Sequence, residues 1–229
     1  MSEKRVIGQI DLDCLDDAWD FFVRHSGVSE DSMKPKYEKA VYEGKRLIDE
    51  ICSIGVVCER VGIDSIEEDS VSLSTGQVLT GKMVARAMAN ANELYAFVIT
   101  LNGFSAFASD DILVEYFGDT WGTSYVESAQ ALLAEEVSAQ LAEEGMKRTH
   151  IWCPGQTQFE IANQRVLFDL LSPQDIGCTL SSHLMMRPVK SASGVIGVIP
   201  PDVEEMLKPC DYCTFKKSCP ASQKGCACL

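Results

Sequence analysis

Apolar residues recur at helical spacing in some stretches of the chain and cluster with β-branched residues in others, so it reads as a mixture of helices and strands. Leu15, Trp19, Phe22 and Val23 share one face of a helix expected over 12–24, closed near Gly27. Tyr37, Val41, Leu47, Ile48 and Ile51 mark a second helix over 36–52, and IGVVCERVGI (54–63) follows as a β-branched strand. Val71 and Leu73 flank Thr75-Gly76 with Val78 and Leu79, the pattern of a hairpin, after which a helix is expected from Thr80 to about Asn92. LYAFVITLN (94–102) is the most apolar strand. A long amphipathic helix over 124–144 is expected next, with Ser124 and Glu127 at capping-box spacing and Gly145 at its end. Val126, Ala129, Leu133, Val137 and Leu141 form its buried stripe, opposite Glu135, Glu136, Glu143 and Glu144. The loop THIWCPGQT leads to a helix over 158–171, stopped at Ser172-Pro173. IGCTL (176–180) and VIGVI (195–199) read as strands, and Pro200-Pro201 opens a short helix, DVEEMLK. Helices and strands in this order, with a hairpin, point to an α+β fold.

Charge narrows the function classes. The 229 residues carry a net charge of −14 and a pI near 4.6. That field repels phosphate backbones and anionic lipid, so neither nucleic acid nor membrane is an expected partner. The stretch 94–101, interrupted only by Thr100, is far short of a membrane span. The N-terminus turns acidic where a secretion signal would be apolar, so a cytoplasmic location is expected.

The string Gly76-x4-Gly81-Lys82 matches a phosphate-binding loop only superficially. Met83 stands where a Ser or Thr hydroxyl would bind magnesium, and the hairpin residues displace the strand such a loop needs. The cysteines carry more information. Of ten, five (Cys210, Cys213, Cys219, Cys226 and Cys228) fall in the last 20 residues. In a reducing compartment such a cluster reads as a metal site rather than a set of disulfides. A Cys-x2-Cys turn with further thiols nearby suits tetrahedral zinc or an iron–sulfur cluster, and the spacing alone does not choose between them. Three lysines against one aspartate make this tail cationic, +2, and leave the body at −16. The expected organisation is an N-terminal helical segment (1–35), a body (36–208) and a cysteine-rich metal-binding tail (209–229).

Several separated motifs give the body a likeness. The run YAFVITLNG, the DTWGTSYVES turn, Cys153-Pro154-Gly155 followed by NQRVLFDLL, and SPQDIGCTLSSHLMMRPVKSASG occur in order. Over about 160 residues, 36–199, the chain resembles the activation (reactivation) domain of cobalamin-dependent methionine synthase. The resemblance implies a twisted antiparallel sheet with flanking helices. It also implies a task, the return of an oxidised corrinoid to the catalytic cycle of a methyltransferase system, with a corrinoid protein as partner and cobalamin carried on that partner. Because such a task needs an electron, which zinc cannot supply, it favours an iron–sulfur cluster in the tail, with zinc as the alternative. The family's adenosylmethionine loop carries an Arg shortly before its Pro-Gly and a Tyr directly after, where this chain has Ile151 and Gln156. Isoleucine cannot make the bidentate contact of a guanidinium to a carboxylate, so S-adenosylmethionine binding is the part of the resemblance that transfers poorly.

Within that frame, Cys153, Pro154 and Gly155 are the expected ligand-side loop, and Ser191, Ser193 and Gly194 a small-residue loop with room for a flat cofactor or a partner surface. Glu127 could face a pocket or simply cap its helix. Of His25, His150 and His183, the last is the most interesting, since corrinoid cobalt takes imidazole ligands. The expected function is reductive activation of a corrinoid protein through the tail's cluster. The alternatives are a non-catalytic corrinoid-binding module with structural zinc and adenosylmethionine-dependent reactivation.

Overall fold

The computed structural model describes residues 5–29, 31, 33–204, 206–214, 216–217 and 219. In chain order its elements are β1 (Arg5–Ile10), α1 (Ala18–Ser26), α2 (Pro35–Ile51), β2 (Ser53–Ile66), β3 (Ser70–Leu73), β4 (Val78–Thr80), α3 (Lys82–Ala87), β5 (Glu93–Asn102), α4 (Ile112–Glu143), β6 (Lys147–Arg148), α5 (Asn163–Leu171), β7 (Thr179–Leu180), β8 (Met186–Arg187), β9 (Ser191–Ile199) and α6 (Pro209–Tyr212). The architecture is α+β, as expected.

Seven strands form one antiparallel sheet in the order β4-β3-β2-β5-β9-β6, with β1 also on β2. The long β2 organises it. One edge pairs with β5 from Ser53 to Gly62, while the other serves β1 over Ile54–Glu59 and then β3 from Ile63 onward. Handing one edge to two successive partners is what a curled sheet requires, and the register shifts between Ile63 and Ser65 where the second begins.

Both faces of this sheet are covered. Ile54, Val56, Tyr95, Phe97, Ile99, Leu101, Ile196 and Val198 face a core made with α1, α2 and α4. Val57, Val61, Leu94, Ala96, Val98, Val195 and Ile199 face a second core made with α3, α5, Trp152 and Phe159. The nearly continuous apolar character of 94–101 follows, since neither face of β5 meets water.

On the first face, Trp121 of α4 stacks on Phe22 of α1, with ring centroids 4.4 Å apart, and donates its indole N–H to the Val41 carbonyl of α2 at 3.0 Å. Helices α2 and α4 meet at two glycines. A Cβ on Gly44 would lie 2.8 Å from the Gly118 nitrogen, so the crossing is closer than side chains allow.

Three elements differ most from the sequence reading, and the described residues of the expected short helix DVEEMLK (202–208) form no helix. The first is α4, which begins at Ile112 rather than Ser124, capped by Asp111 Oδ1 accepting from the Leu113 amide at 2.9 Å. Ser124 is therefore mid-helix and buried, its hydroxyl donating to the Thr120 carbonyl at 2.8 Å, and the capping box is absent. Gly118 and Gly122, which look like turn residues, sit in the helix because the Phe107 and Phe104 rings occupy the space a side chain would need. The second is the N-terminal segment, which opens with β1 before α1. The third is β9, which begins at Ser191, so Ser191, Ser193 and Gly194 lie in a strand and not in a loop. Smaller shifts leave α3 at six residues and start α5 at Asn163. The hairpin turn at Gly76 is as expected, and Lys82 pairs with Glu68 at 2.9 Å on the surface.

Gly44→Ala is expected to destabilise the protein by about 1–3 kcal/mol, because the methyl group must push α2 off α4. A urea titration followed by Trp fluorescence measures it, and an unchanged midpoint would show that the helices can separate freely.

Candidate functional site

The segment after β6 stays attached to β9. Trp152 exchanges both backbone hydrogen bonds with Val195, at 3.0 and 2.8 Å, and Thr149 reaches Gly197 through its amide (2.9 Å) and its hydroxyl oxygen (2.8 Å). Gly194 allows this approach, since a Cβ there would lie 2.9 Å from the Trp152 carbonyl oxygen and 2.8 Å from the Phe97 ring. The loop that follows therefore starts from a fixed point on the sheet.

The loop closes on itself. Gln156 Oε1 accepts from the Cys153 amide at 3.0 Å. The Gln156 amide donates to the Cys153 carbonyl (3.1 Å), the Gly155 amide to the Phe159 carbonyl (2.8 Å), and the Phe159 amide to the Gln156 carbonyl (2.9 Å). Gly155 takes φ +95°, a conformation that favours glycine. Ile151 is fully buried in the first core. The amides of Cys153, Gly155 and Gln156 are thus engaged within the loop, and the residue at the position of the family's arginine is packing rather than a contact. This arrangement does not fit the carboxylate of an adenosylmethionine-type ligand.

The structure brings the cysteine tail to this loop. Thr157 Oγ1 donates to the Tyr212 carbonyl of α6 at 2.7 Å, and the Arg86 guanidinium lies 5.5 Å from the centre of the Tyr212 ring. Val203, Leu207 and Tyr212 pack on the second core, and Pro209 is buried. Cys210 and Cys213 bracket this docked turn, Cys210 half-buried and Cys213 exposed, with Cys219 half-buried beyond. Among the described residues no three His, Cys, Asp or Glu side chains are grouped to hold a metal, and Cys226 and Cys228 lie outside the described residues.

Ser191 and Ser193 are placed differently. The Ser191 hydroxyl shares a 2.7 Å hydrogen bond with Thr100 Oγ1 and lies 2.7 Å from the Pro188 carbonyl oxygen. Ser193 is 3% exposed on the face shared with Val195, so it is sheet interior and offers no surface to a partner. Three further cysteines are held toward the protonated thiol by burial. Burial pushes the Cys58 thiol up to about 12 and the Cys52 thiol up to about 11, and raises Cys178 as well.

His183 is on the surface beside Ser182. The histidine that matters to the structure is His25, in the last turn of α1, whose Nε2 lies 3.0 Å from Glu127 Oε2 of α4. No sequence signal joins two positions so far apart. Nearby, Lys190 Nζ holds Asp119 and Thr123 of α4, each at 2.8 Å, so α4 is tied both to α1 and to the start of β9.

No known protein family matches the sequence, and no curated protein does. Solved structures do. The crystal structure of the MetH reactivation domain bound to AdoHcy superposes with a TM-score of 0.60, covering 97% of this chain and 86% of that one at 13% identity. This chain has the fold of that domain. The resemblance read from separated motifs thus extends to the whole architecture, including the curled antiparallel sheet. Among the described residues no helix is long and apolar enough to cross a membrane.

The contact with Glu127 raises the His25 pKa above 6.5, outweighing burial and the opposing fields of Lys190 and Arg24. Its stabilisation is therefore fully present below about pH 6.5 and lost as pH rises through the higher folded value. Over pH 6 to 9, the stability advantage of the wild type over Glu127→Gln is expected to shrink with rising pH in urea titrations. An advantage that is constant over this range would show that His25 does not titrate against Glu127.

Proposed function

We propose that the chain is an accessory protein for the reductive activation of a corrinoid (cobalamin) protein in a methyltransferase system. The observation that carries this reading is the likeness of fold to the MetH reactivation domain over nearly the whole chain. The partner is a corrinoid protein, and the surface for it is the region where the 153–157 loop and the Cys210–Cys213 turn lie together. That neighbour was crystallised with AdoHcy, but here the loop spends its own amides internally, which supports an activator that works without adenosylmethionine as methyl donor.

The reductant in this reading is an iron–sulfur cluster held by four of Cys210, Cys213, Cys219, Cys226 and Cys228. A cluster there would supply one electron to the partner's cobalt(II). Three tail lysines and a single aspartate suit a set of thiolates, since cations lower thiol pKa values. Structural zinc in the same thiolates is the second reading, and it makes the chain a binding module without redox chemistry.

Anaerobic purification with elemental analysis separates the two. We expect a brown protein carrying iron and sulfide, and expect Cys210→Ser and Cys213→Ser each to lose the metal while the far-UV circular dichroism of the body is retained. Colourless protein with stoichiometric zinc would establish the second reading, and metal content unaltered in both variants would remove the tail as ligand.

Adenosylmethionine binding is a separate test. Losing a charge-assisted bidentate contact costs about 2–5 kcal/mol, or roughly 30- to 5000-fold in affinity. Isothermal calorimetry is expected to detect weak binding or none, and a micromolar dissociation constant would restore the methyl-donor mechanism.

A further inference from the structure

The chain is strongly acidic, yet from Ile176 to Pro201 its sequence holds no Asp or Glu. Within this stretch β7 and β8 form a two-stranded ribbon, a sheet of their own. Leu180 and Met186 of the ribbon pack on the second core, while Met185 and Val189 are 54% and 56% exposed. Lys190 is taken up by Asp119 and Thr123 of α4, so the exposed Arg187 is the cation that the ribbon presents. The tip is held by a closed turn. The Ser181 amide donates to the Met185 carbonyl (2.9 Å), the Leu184 amide to the Ser181 carbonyl (3.0 Å) and the Met185 amide to Ser181 Oγ (3.0 Å). Arg165 Nη2 of α5 donates to the Ser182 carbonyl at 3.2 Å. A tip fixed in this way loses little freedom on contact.

A complement lies on the other layer. Between the turn that leads into α1 and the middle of α4 is a recess of about 190 Å³. Leu15 and Leu132 are its apolar part, and Asp16, Asp17 and Glu135 are its acids. Both leucines pack in the first core, whereas the ribbon is seated on the second. The sheet therefore stands between ribbon and recess, and within one chain the two do not meet. Two chains can bring them together.

We propose that the chain associates with a second copy of itself, the ribbon of one protomer seating Met185 in the recess of the next, with Arg187 against the acids of the rim. Charge complementarity selects this occupant, since the chain carries both a cationic apolar tip and an acid-rimmed apolar recess. A methionine suits the recess because its unbranched thioether adapts to the space available. Repulsion between two acidic bodies does not prevent the contact. At physiological ionic strength exposed charges more than about 8 Å apart are largely screened, while a contact pair is not. Because it joins unlike patches the contact is heterologous, and assembly stops only where the rotation closes a ring. One ribbon tip places it among weak, reversible contacts. It uses neither the 153–157 loop nor the cysteine tail, so it stands apart from the corrinoid reading.

The test is sedimentation velocity of the full chain at physiological ionic strength, over about 1 to about 200 µM. The weight-average mass is expected to rise with concentration above the 25.1 kDa of the monomer. Arg187→Glu on the ribbon and Glu135→Lys at the recess, both at exposed positions, are each expected to weaken association at least about tenfold. Mixed in equal amounts, the two variants are expected to associate again, because the unaltered ribbon of one meets the unaltered recess of the other. Asp16→Lys repeats the recess test at a second position, and far-UV circular dichroism checks that each variant is folded. A wild type that stays monomeric over the whole range, association unaltered by these substitutions, or a mixture that associates no better than either variant alone would overturn the proposal.

Discussion

Strand β5 has no face left for water, and most of the structure follows from that. An antiparallel sheet commonly leaves one side solvated, but here alternate residues of β5 enter two different cores. Each large aliphatic or aromatic side chain so buried contributes about 1.5–3 kcal/mol, provided both sides are covered. The chain must therefore supply two layers. The first is continuous, built from α1, α2 and the 32-residue α4. The second is assembled from short pieces, namely α3, α5, Trp152, Phe159 and the stretch that precedes α6. The two kinds of cover have different consequences.

The long helices fix the frame. At the rim of the sheet, Arg60 on β2 is 3% exposed and spans to Glu93 on β5 and to both carboxylate oxygens of Glu144 just past α4. A buried guanidinium is costly unless its donors are matched; here two acids hold both terminal nitrogens, raising its pKa further, while Nε finds no partner among the described residues. The short pieces on the other face carry the self-bonded 153–157 loop and the docked tail. They are joined to the rest by the Trp152–Val195 pair, the Thr157–Tyr212 bond, the Met83 amide on the Gln158 carbonyl and the Asn163 side chain on Thr80.

What was legible in the sequence follows the same division. Periodicity revealed β5, the hairpin, α2 and the C-terminal half of α4, because their burial is one-sided at helical period or complete in a strand. It missed the first three turns of α4 because Gly118, Gly122 and Ser124 are poor helix formers in isolation; their places are set by Phe104 and Phe107 packing from another segment. It read Ser191–Gly194 as a loop for a similar reason. Small residues resemble a turn, whereas here they let the Trp152 carbonyl and the Phe97 ring come close to a strand. The pairing of His25 with Glu127, and the meeting of the Cys153 loop with the Cys210 turn, are long-range contacts that no local pattern encodes. The likeness read from those separated motifs is matched by a shared fold at 13% identity.

The 153–157 loop is closed by its own hydrogen bonds. An amide held away from water must find an acceptor or cost about 1–3 kcal/mol. Gln156 supplies that acceptor for Cys153 through its side chain, and the Phe159 carbonyl supplies it for Gly155. Each such bond contributes about 0.5–1.5 kcal/mol. A ligand entering now would have to break them before making its own, with no guanidinium at position 151 to repay the loss. Substituting an arginine for Ile151 would not reverse this, since Ile151 is fully enclosed in the first core and a charged head could not be accommodated there. The closed loop therefore rests on two layers at once: a packed residue beneath it and a closed hydrogen-bond set within it.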